Sequence, residues 1–443
     1  MSLLGRWARR YKRRSRVVPI VLRRIDPTAG DAEYLHWAYR THRAELLAPY
    51  QVDDPKGAMQ RQYSVYQGAR RWSAWYLEDV FAAAVRLVGA NGAYVRRLTG
   101  KAKVRQAIEM LSLASWLPSM PEQYYRFEWY LPEFRGRARQ YLHRHEVKYV
   151  LYRMLGDQRG PASVSNKARF HAHALAHGLP VVPLVALVRG GRVALEPGVD
   201  LDALDVDLFV KPIAGKGGRG ADRLTALPGQ PGRFRSAATR KRHTLAQLLE
   251  RYAARSRKAK HADGFLVQHR AVNHRDLRPL AGEAAATVRV VTILDERGAP
   301  EPVAAILRMP GRLDGVVDNF HAGGIAAPVA LDDGTLGEAS SLGIDGDLER
   351  LRVRPDSGAP IAGSPMPLWD DVLRLCLRAH RAFAPRVLVG WDVCVTDDGP
   401  VLIEANGQPC TDFMQRVQRA PLGDARFGQL LAHHVRATLA ERT

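Results

Sequence analysis

Gly390-Trp-Asp-Val-Cys-Val-Thr-Asp-Asp-Gly-Pro-Val-Leu-Ile-Glu-Ala-Asn406 is the stretch on which the fold turns. Asp397-Asp398-Gly399 is a turn signal between two runs of alternating polarity, so the segment reads as a β-hairpin. Centring the turn on Asp398 sets Asp392 opposite Glu404. Parity then puts Asn406 on their face and Val393, Val395, Val401 and Ile403 on the other. Two carboxylates that face each other in a half-buried hairpin repel, and something positive must compensate. Asp, Glu and Asn all offer hard oxygen donors suited to Mg²⁺ or Mn²⁺. A slipped register would leave the same groups in water.

Upstream, Leu208-Phe-Val-Lys-Pro-Ile-Ala-Gly-Lys-Gly-Gly-Arg-Gly220 places Lys211 at the end of a strand and four glycines among the next residues, 215–220. Glycines let backbone N–H groups approach an anion, and Lys211 can neutralise a phosphate. Gly-Lys-Ser/Thr is missing, so this is not a P-loop. Gly215, Gly217 and Gly220 match a dinucleotide fingerprint, but no helix pattern follows them. His274-Arg275-Asp276-Leu277 imitates a protein-kinase catalytic loop. It fails on order: Lys211 precedes its glycine loop, and Ala281 stands where a metal-binding Asn belongs. Arg289 lies inside the apolar run Val288–Ile293, a costly place for a charge unless an anion pairs it. A phosphate and a structural carboxylate are both open as that partner.

In chain order the parts are Asn166-Lys167 at a helix start, Phe209-Val-Lys211-Pro before a glycine loop, and Phe265-Leu-Val-Gln268. Then come Thr287-Val-Arg289-Val-Val-Thr292, Asp318-Asn-Phe-His-Ala-Gly-Gly324 and the hairpin. This order resembles the ATP-grasp superfamily, and the Thr-Val-Arg-Val-Val-Thr and Asn-Phe-His-Ala-Gly-Gly strings resemble its sugar-transfer-associated branch, which is often linked to surface-polysaccharide biosynthesis. The resemblance covers about residues 140–443. It implies an α+β fold in which two α/β subdomains sandwich ATP: a nucleotide lobe at about 161–270 and a catalytic, metal-holding lobe at about 271–443. Lys167 and Lys211 would bind phosphates under a flap made by Gly215, Lys216, Gly217, Gly218, Arg219 and Gly220. Backbone at Gln268, His269, Arg270 and Ala271 would take the adenine. Asp392, Glu404 and Asn406 would hold Mg²⁺ (or Mn²⁺), Arg289 and Lys211 would serve catalysis, and Asn319 and His321 would line the acceptor side. Two departures stand out: Gln268-His269 occupies the hinge where a ribose-binding carboxylate is common, and the region before residue 140 does not read as an α/β domain.

The 443 residues leave room for more than one domain, and 46 % apolar with 25 % charged residues is an ordinary globular balance. Net charge is +21, which implies anionic company. Residues 1–24 carry nine Lys/Arg and no acid, and they read as a flexible basic tail able to rest on an anionic membrane. Residues 25–140 show helical patterning, as in Glu78–Val88 and Val104–Leu117, with Tyr124, Tyr125, Phe127, Trp129 and Tyr130 as core aromatics. Further helices are expected at Lys167–His177 behind Asn166, after the Thr244-x-x-Gln247 capping box, between Pro367 and Pro385, and after a capping Asp424. Strands are expected at Leu208–Lys211, Phe265–Gln268, Val288–Ile293, Val303–Leu307, Trp391–Val395 and Val401–Glu404. The basic run 233–242 reads as a mobile loop near the nucleotide. No apolar run is long enough to span a membrane. Three cysteines without a C-x-x-C pair suit a reducing cytoplasm, and Cys410 reads as a small loop residue.

The resulting expectation is an ATP- and Mg²⁺-dependent ligase that joins a small-molecule or glycan-linked carboxylate, through an acylphosphate, to an amine or related nucleophile. Two rivals stay open. One is an ATP-grasp kinase acting on a sugar or lipid hydroxyl. The other is a non-enzymatic basic module for polyanions, although few aromatics interleave with the basic residues and no specific nucleic acid is expected.

Overall fold

The computed structural model describes residues 30–47, 79–117, 119–155, 164–214, 220–258, 263–313, 323–344, 346 and 348–441. The basic tail lies outside them. Two compact units emerge, one from the described residues of Met1–Gly156, Leu342–Glu349 and Cys410–Thr443, the other from those of Asp157–Ser341 and Arg350–Pro409.

The first unit is helical: Asp31–Leu47, Phe81–Thr99, Lys103–Trp116, Thr411–Gln418 and Arg426–Ala440 are its longer helices, and its described residues include no strand. Phe81–Thr99 stops at Gly100, whose φ of +73° is the left-handed cap that glycine adopts at little cost. Leu87, Val95, Met110 and Leu113 pack with Tyr124, Tyr125, Phe127, Trp129 and Tyr130, so the aromatics are core as read. Asp424 does not cap the last helix. That helix starts behind Ala425 without a side-chain cap, and the Asp424 carboxylate accepts the Ala32 amide instead, at 3.0 Å. A buried guanidinium, Arg416, reaches Glu128 Oε1 at 2.7 Å and the carbonyls of Arg126 and Leu348. Glu128 is itself buried, at a left-handed φ of +57°. Removing one partner of a buried ion pair leaves the other charge uncompensated. Arg416→Met is therefore expected to lower the unfolding free energy by about 3 kcal/mol, read from urea titration of the whole chain.

The second unit is built on two seven-stranded antiparallel sheets. The first holds β1 (Leu184–Arg189), β2 (Arg192–Leu195), β3 (Leu208–Pro212), β4 (Asp222–Ala226), β5 (Arg233–Ser236), β6 (Arg242–Thr244) and β7 (Phe265–His269), in the order β2-β1-β7-β3-β4-β5-β6. The second holds β8 (Thr287–Leu294), β9 (Pro300–Met309), β10 (Ile325–Pro328), β11 (Ala339–Ser340), β12 (Arg350–Leu351), β13 (Leu388–Thr396) and β14 (Gly399–Asn406), in the order β12-β11-β10-β9-β8-β13-β14. This is an α+β architecture, as expected. All six strands read from the sequence are present and extend by one to five residues.

Each sheet buries one face under a helix. Leu208, Val210, Leu224, Phe234, Phe265 and Val267 meet the apolar side of helix Leu245–Ser256, which opens with the expected capping box of Thr244 and Gln247. Val288, Val290, Trp391, Val393 and Val395 pack with Val372, Leu375 and Ala379 of helix Trp369–Ala382. Because strand side chains alternate, the other face of each sheet is left for chemistry. Residues 233–242 are not one mobile loop: β5 and the first residue of β6 flank a turn at 237–241. Phe234 and Ser236 are buried while Arg233 and Arg235 are exposed, a period-two pattern that the arginines concealed. No helix among the described residues is long and apolar enough to cross a membrane.

Candidate active site

β13 and β14 pair with Gly390 opposite Asn406, Trp391 opposite Ala405 and Asp392 opposite Glu404. The two carboxylates face each other, as the hairpin reading required. Beyond them the register shifts, and Val393 pairs with Leu402. Ile403 is the bulged residue, so the parity expected for this part of β14 is wrong: Leu402 joins the core, while Val401 and Ile403 stay half-buried. The bulge also aims a backbone group, since the Ile403 carbonyl accepts the Lys211 ammonium at 3.1 Å.

Asp392 is buried at 1 % exposure. Arg289, paired with it across β8 and β13, donates Nε to Oδ1 and Nη2 to Oδ2, each at 2.6 Å. Arg308 of β9 adds Nη1 to Oδ2 at 2.9 Å. Burial works to raise this carboxyl. The charges of Arg289 and Arg308 and the Arg289 hydrogen bonds together hold it below the usual range. Arg289 thus has a structural carboxylate as partner, one of the two alternatives its position left open. Arg308 lies one residue beyond the strand expected at Val303–Leu307; β9 runs on to Met309 and brings it to Asp392.

Glu404 is met by Lys167 Nζ at 3.7 Å. Lys167 is the first residue of helix Lys167–Ala176, and Asn166 caps that helix by accepting the Ala168 and Arg169 amides. Burial pushes the Lys211 amine down to about 8, with Lys167 adding to the effect and Glu404 and Asp392 opposing it. Four cations, Lys167, Lys211, Arg289 and Arg308, surround two carboxylates, and the surplus positive charge suits a polyphosphate.

The chemistry of Asp392, Glu404 and Asn406 fits the donor set of a divalent cation. Asn406 lies next to Glu404 on β14, and its amide nitrogen is buried with no hydrogen-bond partner among the described residues. An uncommitted polar side chain therefore stands beside two opposed carboxylates. Among the described residues no three His, Cys, Asp or Glu side chains gather as a metal group, so a third side-chain donor beside the two carboxylates would be the Asn406 oxygen. Two carboxylates and an amide are hard donors that fit Mg²⁺ or Mn²⁺.

At the hinge after β7, the Gln268 side chain is buried and donates to the Val182 carbonyl at 3.2 Å. The His269 amide goes to Pro183 and that of Arg270 to Asp207, whereas the Ala271 amide bonds to nothing among the described residues. Burial lowers the His269 imidazole. The Arg270 side chain is committed to Asp207 and Glu283. Of the expected flap, Gly215, Lys216, Gly217, Gly218 and Arg219 lie outside the described residues, and so do Asn319 and His321. Gly220 is described, at a φ of +80°. The kinase-like tetrapeptide is structural: His274 caps a short 3₁₀ turn, and Arg275 and Arg278 hold Asp397 at the hairpin tip. Cys410 precedes helix Thr411–Gln418, and burial raises its thiol.

The family model for sugar-transfer associated ATP-grasp proteins matches residues 148–425, more than half of the chain. The chain belongs to this family. No functionally curated protein matches it. Among solved structures, it is similar to an L-amino acid ligase from Bacillus licheniformis at 11 % identity and a TM-score of 0.35, over 61 % of this chain and 48 % of that one. D-alanyl-alanine synthetase A from Vibrio cholerae is 12 % identical with a TM-score of 0.36, over 62 % and 66 %. An ATP complex of D-alanine–D-alanine ligase from Bacillus anthracis is 13 % identical with a TM-score of 0.35, over 63 % and 67 %. The chain spans about half the length of the first and two thirds of the others.

Proposed function

We propose that the chain is an ATP-dependent carboxylate–amine ligase acting on a cell-surface polysaccharide precursor in the cytoplasm. The observation that carries the reading is the opposition of Asp392 and Glu404 inside a ring of four cations on one sheet pair. Family membership supports it.

In the first step a substrate carboxylate oxygen attacks the γ-phosphorus of ATP. The bond from that phosphorus to the bridging oxygen breaks, and ADP leaves. In the second step an amine attacks the acyl carbon, the carbon–oxygen bond to phosphate breaks, and phosphate leaves as the amine loses a proton. Both steps gather or move anionic charge, so catalysis rests on placing fixed cations where that charge develops. Lys167 and Lys211 would neutralise the polyphosphate, and Arg289 and Arg308 would face the transferred group from the opposite strand layer. The Ala271 amide is the hinge donor available to adenine. Asp392, Glu404 and Asn406 would hold Mg²⁺, which supplies further neutralisation of phosphate oxygens when bound.

The test is turnover on panels of acids and amines with ATP. ADP release that requires a carboxylate, with an amide product, is the expected result. Phosphate retained on a sugar or lipid hydroxyl would transfer the assignment to a kinase, and tight ATP binding with no turnover on any acid would remove the ligase reading.

A further inference from the structure

Lys211 is not isolated on its sheet. Register fixes which residues share its face, because residues directly opposite in neighbouring strands point the same way. Phe209, two residues from Lys211, pairs with Gln268 on one side and with Arg223 on the other. Two residues along β4, Thr225 pairs with Arg235, and Arg235 pairs with Arg242. The opposite face carries Leu208, Val210, Leu224 and Phe234 against helix Leu245–Ser256. Arg223, Arg235 and Arg242 therefore continue the Lys211 face strand by strand toward the sheet edge, joined by Arg233 of β5.

Two features of this face are costly in an unliganded protein. Arg235 and Arg242 are like charges directly opposite each other on adjacent strands, which is destabilising. The Nε of Arg223 is buried with no hydrogen-bond partner among the described residues. None of Arg223, Arg233, Arg235 and Arg242 has an acidic partner among the described residues. An anion laid across the strands would satisfy all of these groups together.

We infer that this face is a binding track for an anionic acceptor chain, an oligosaccharide bearing carboxylate or phosphate groups. The arginines are spaced by single strand separations and cross-strand diagonals, about 5–8 Å, a ladder suited to repeated charges and not to one compact ion. Phe209 is the aromatic side chain on this face, which gives little platform for stacked bases. The inference rests on the ligase reading and gives it an acceptor class.

The test compares the full-length chain with an Arg235→Gln/Arg242→Gln variant, both positions being exposed. The probes are oligogalacturonate, a neutral maltooligosaccharide and single-stranded oligothymidylate of matched charge, alongside a fluorescent ATP analogue. Wild type should bind oligogalacturonate and not the neutral sugar. The double variant should bind it about tenfold more weakly, with a log–log salt slope shallower by about 1–2, an unlowered thermal midpoint and unchanged nucleotide binding. Equal oligogalacturonate affinity in the two proteins overturns the track while leaving the nucleotide site standing. Loss of nucleotide binding by wild type itself would count against the ligase reading alone. Tighter binding of oligothymidylate, lost in the variant, would give the face to nucleic acid and end the glycan assignment.

Discussion

Asp392→Asn is expected to reduce ATP-dependent turnover by about 10³-fold or more and to lower the unfolding free energy by about 3–5 kcal/mol. The two losses share a cause. Asp392 is buried and accepts three guanidinium hydrogen bonds, two from Arg289 and one from Arg308. Asparagine keeps the shape but cancels the charge, and its NH₂ turns a donor toward a donor. One or both guanidiniums are then buried without an anion. In the proposed reaction the same change removes one oxygen donor from the cation set and frees Arg289 from the geometry that aims it. Arg308→Met separates the effects. Asp392 would still hold its two-pronged pair with Arg289, so stability should fall less than in Asp392→Asn while turnover still drops. Denaturant unfolding and single-turnover ADP release measure the two quantities on the same preparations. Undiminished turnover in Asp392→Asn would remove the hairpin from the active site.

What the sequence disclosed follows from how local each determinant is. The β13–β14 register was readable because turn chemistry and period-two polarity lie within one short segment. The bulge was not, since it depends on Leu402 being drawn into a core assembled from distant strands and on the Ile403 carbonyl meeting Lys211. Asn166 and Thr244 were legible as caps because their partners lie two or three residues away. Asp424 looked equally good, but its carboxylate is taken by Ala32, far away in sequence. β5 and β6 were hidden by composition. A dense basic run suggests a solvated loop, and the single buried Phe234 carried little weight against it. Arg308 shows the same limit at the site, because cross-strand partnership cannot be read from a strand end. The cluster's order along the chain was visible; the two-guanidinium embrace of Asp392 needed three strands to be in place.

Lys211→Met should move stability and function in opposite directions. Methionine occupies a comparable volume and removes a charge whose burial is unfavourable, so the unliganded protein should gain about 1–3 kcal/mol. ATP affinity should fall about 10–100-fold, the worth of a charge-assisted hydrogen bond. The wild-type pH dependence follows from the same residue. Its amine titrates near 8 in the folded chain against 10.5 ordinarily, so between these values the unfolded state binds more protons than the folded one. Stability of the unliganded protein therefore rises with pH from about 8 to about 10.5. ATP affinity runs the other way. It should hold below pH 8 and then fall by up to about tenfold per pH unit as the free protein loses the proton that the phosphate requires. Lys211→Arg keeps a charge at every accessible pH and should bind ATP without that alkaline limb, even if more weakly. Calorimetric ATP titrations of the three proteins between neutral and alkaline pH read the limb directly. Its persistence in Lys211→Arg would mean that another group titrates there and that Lys211 does not touch the phosphates.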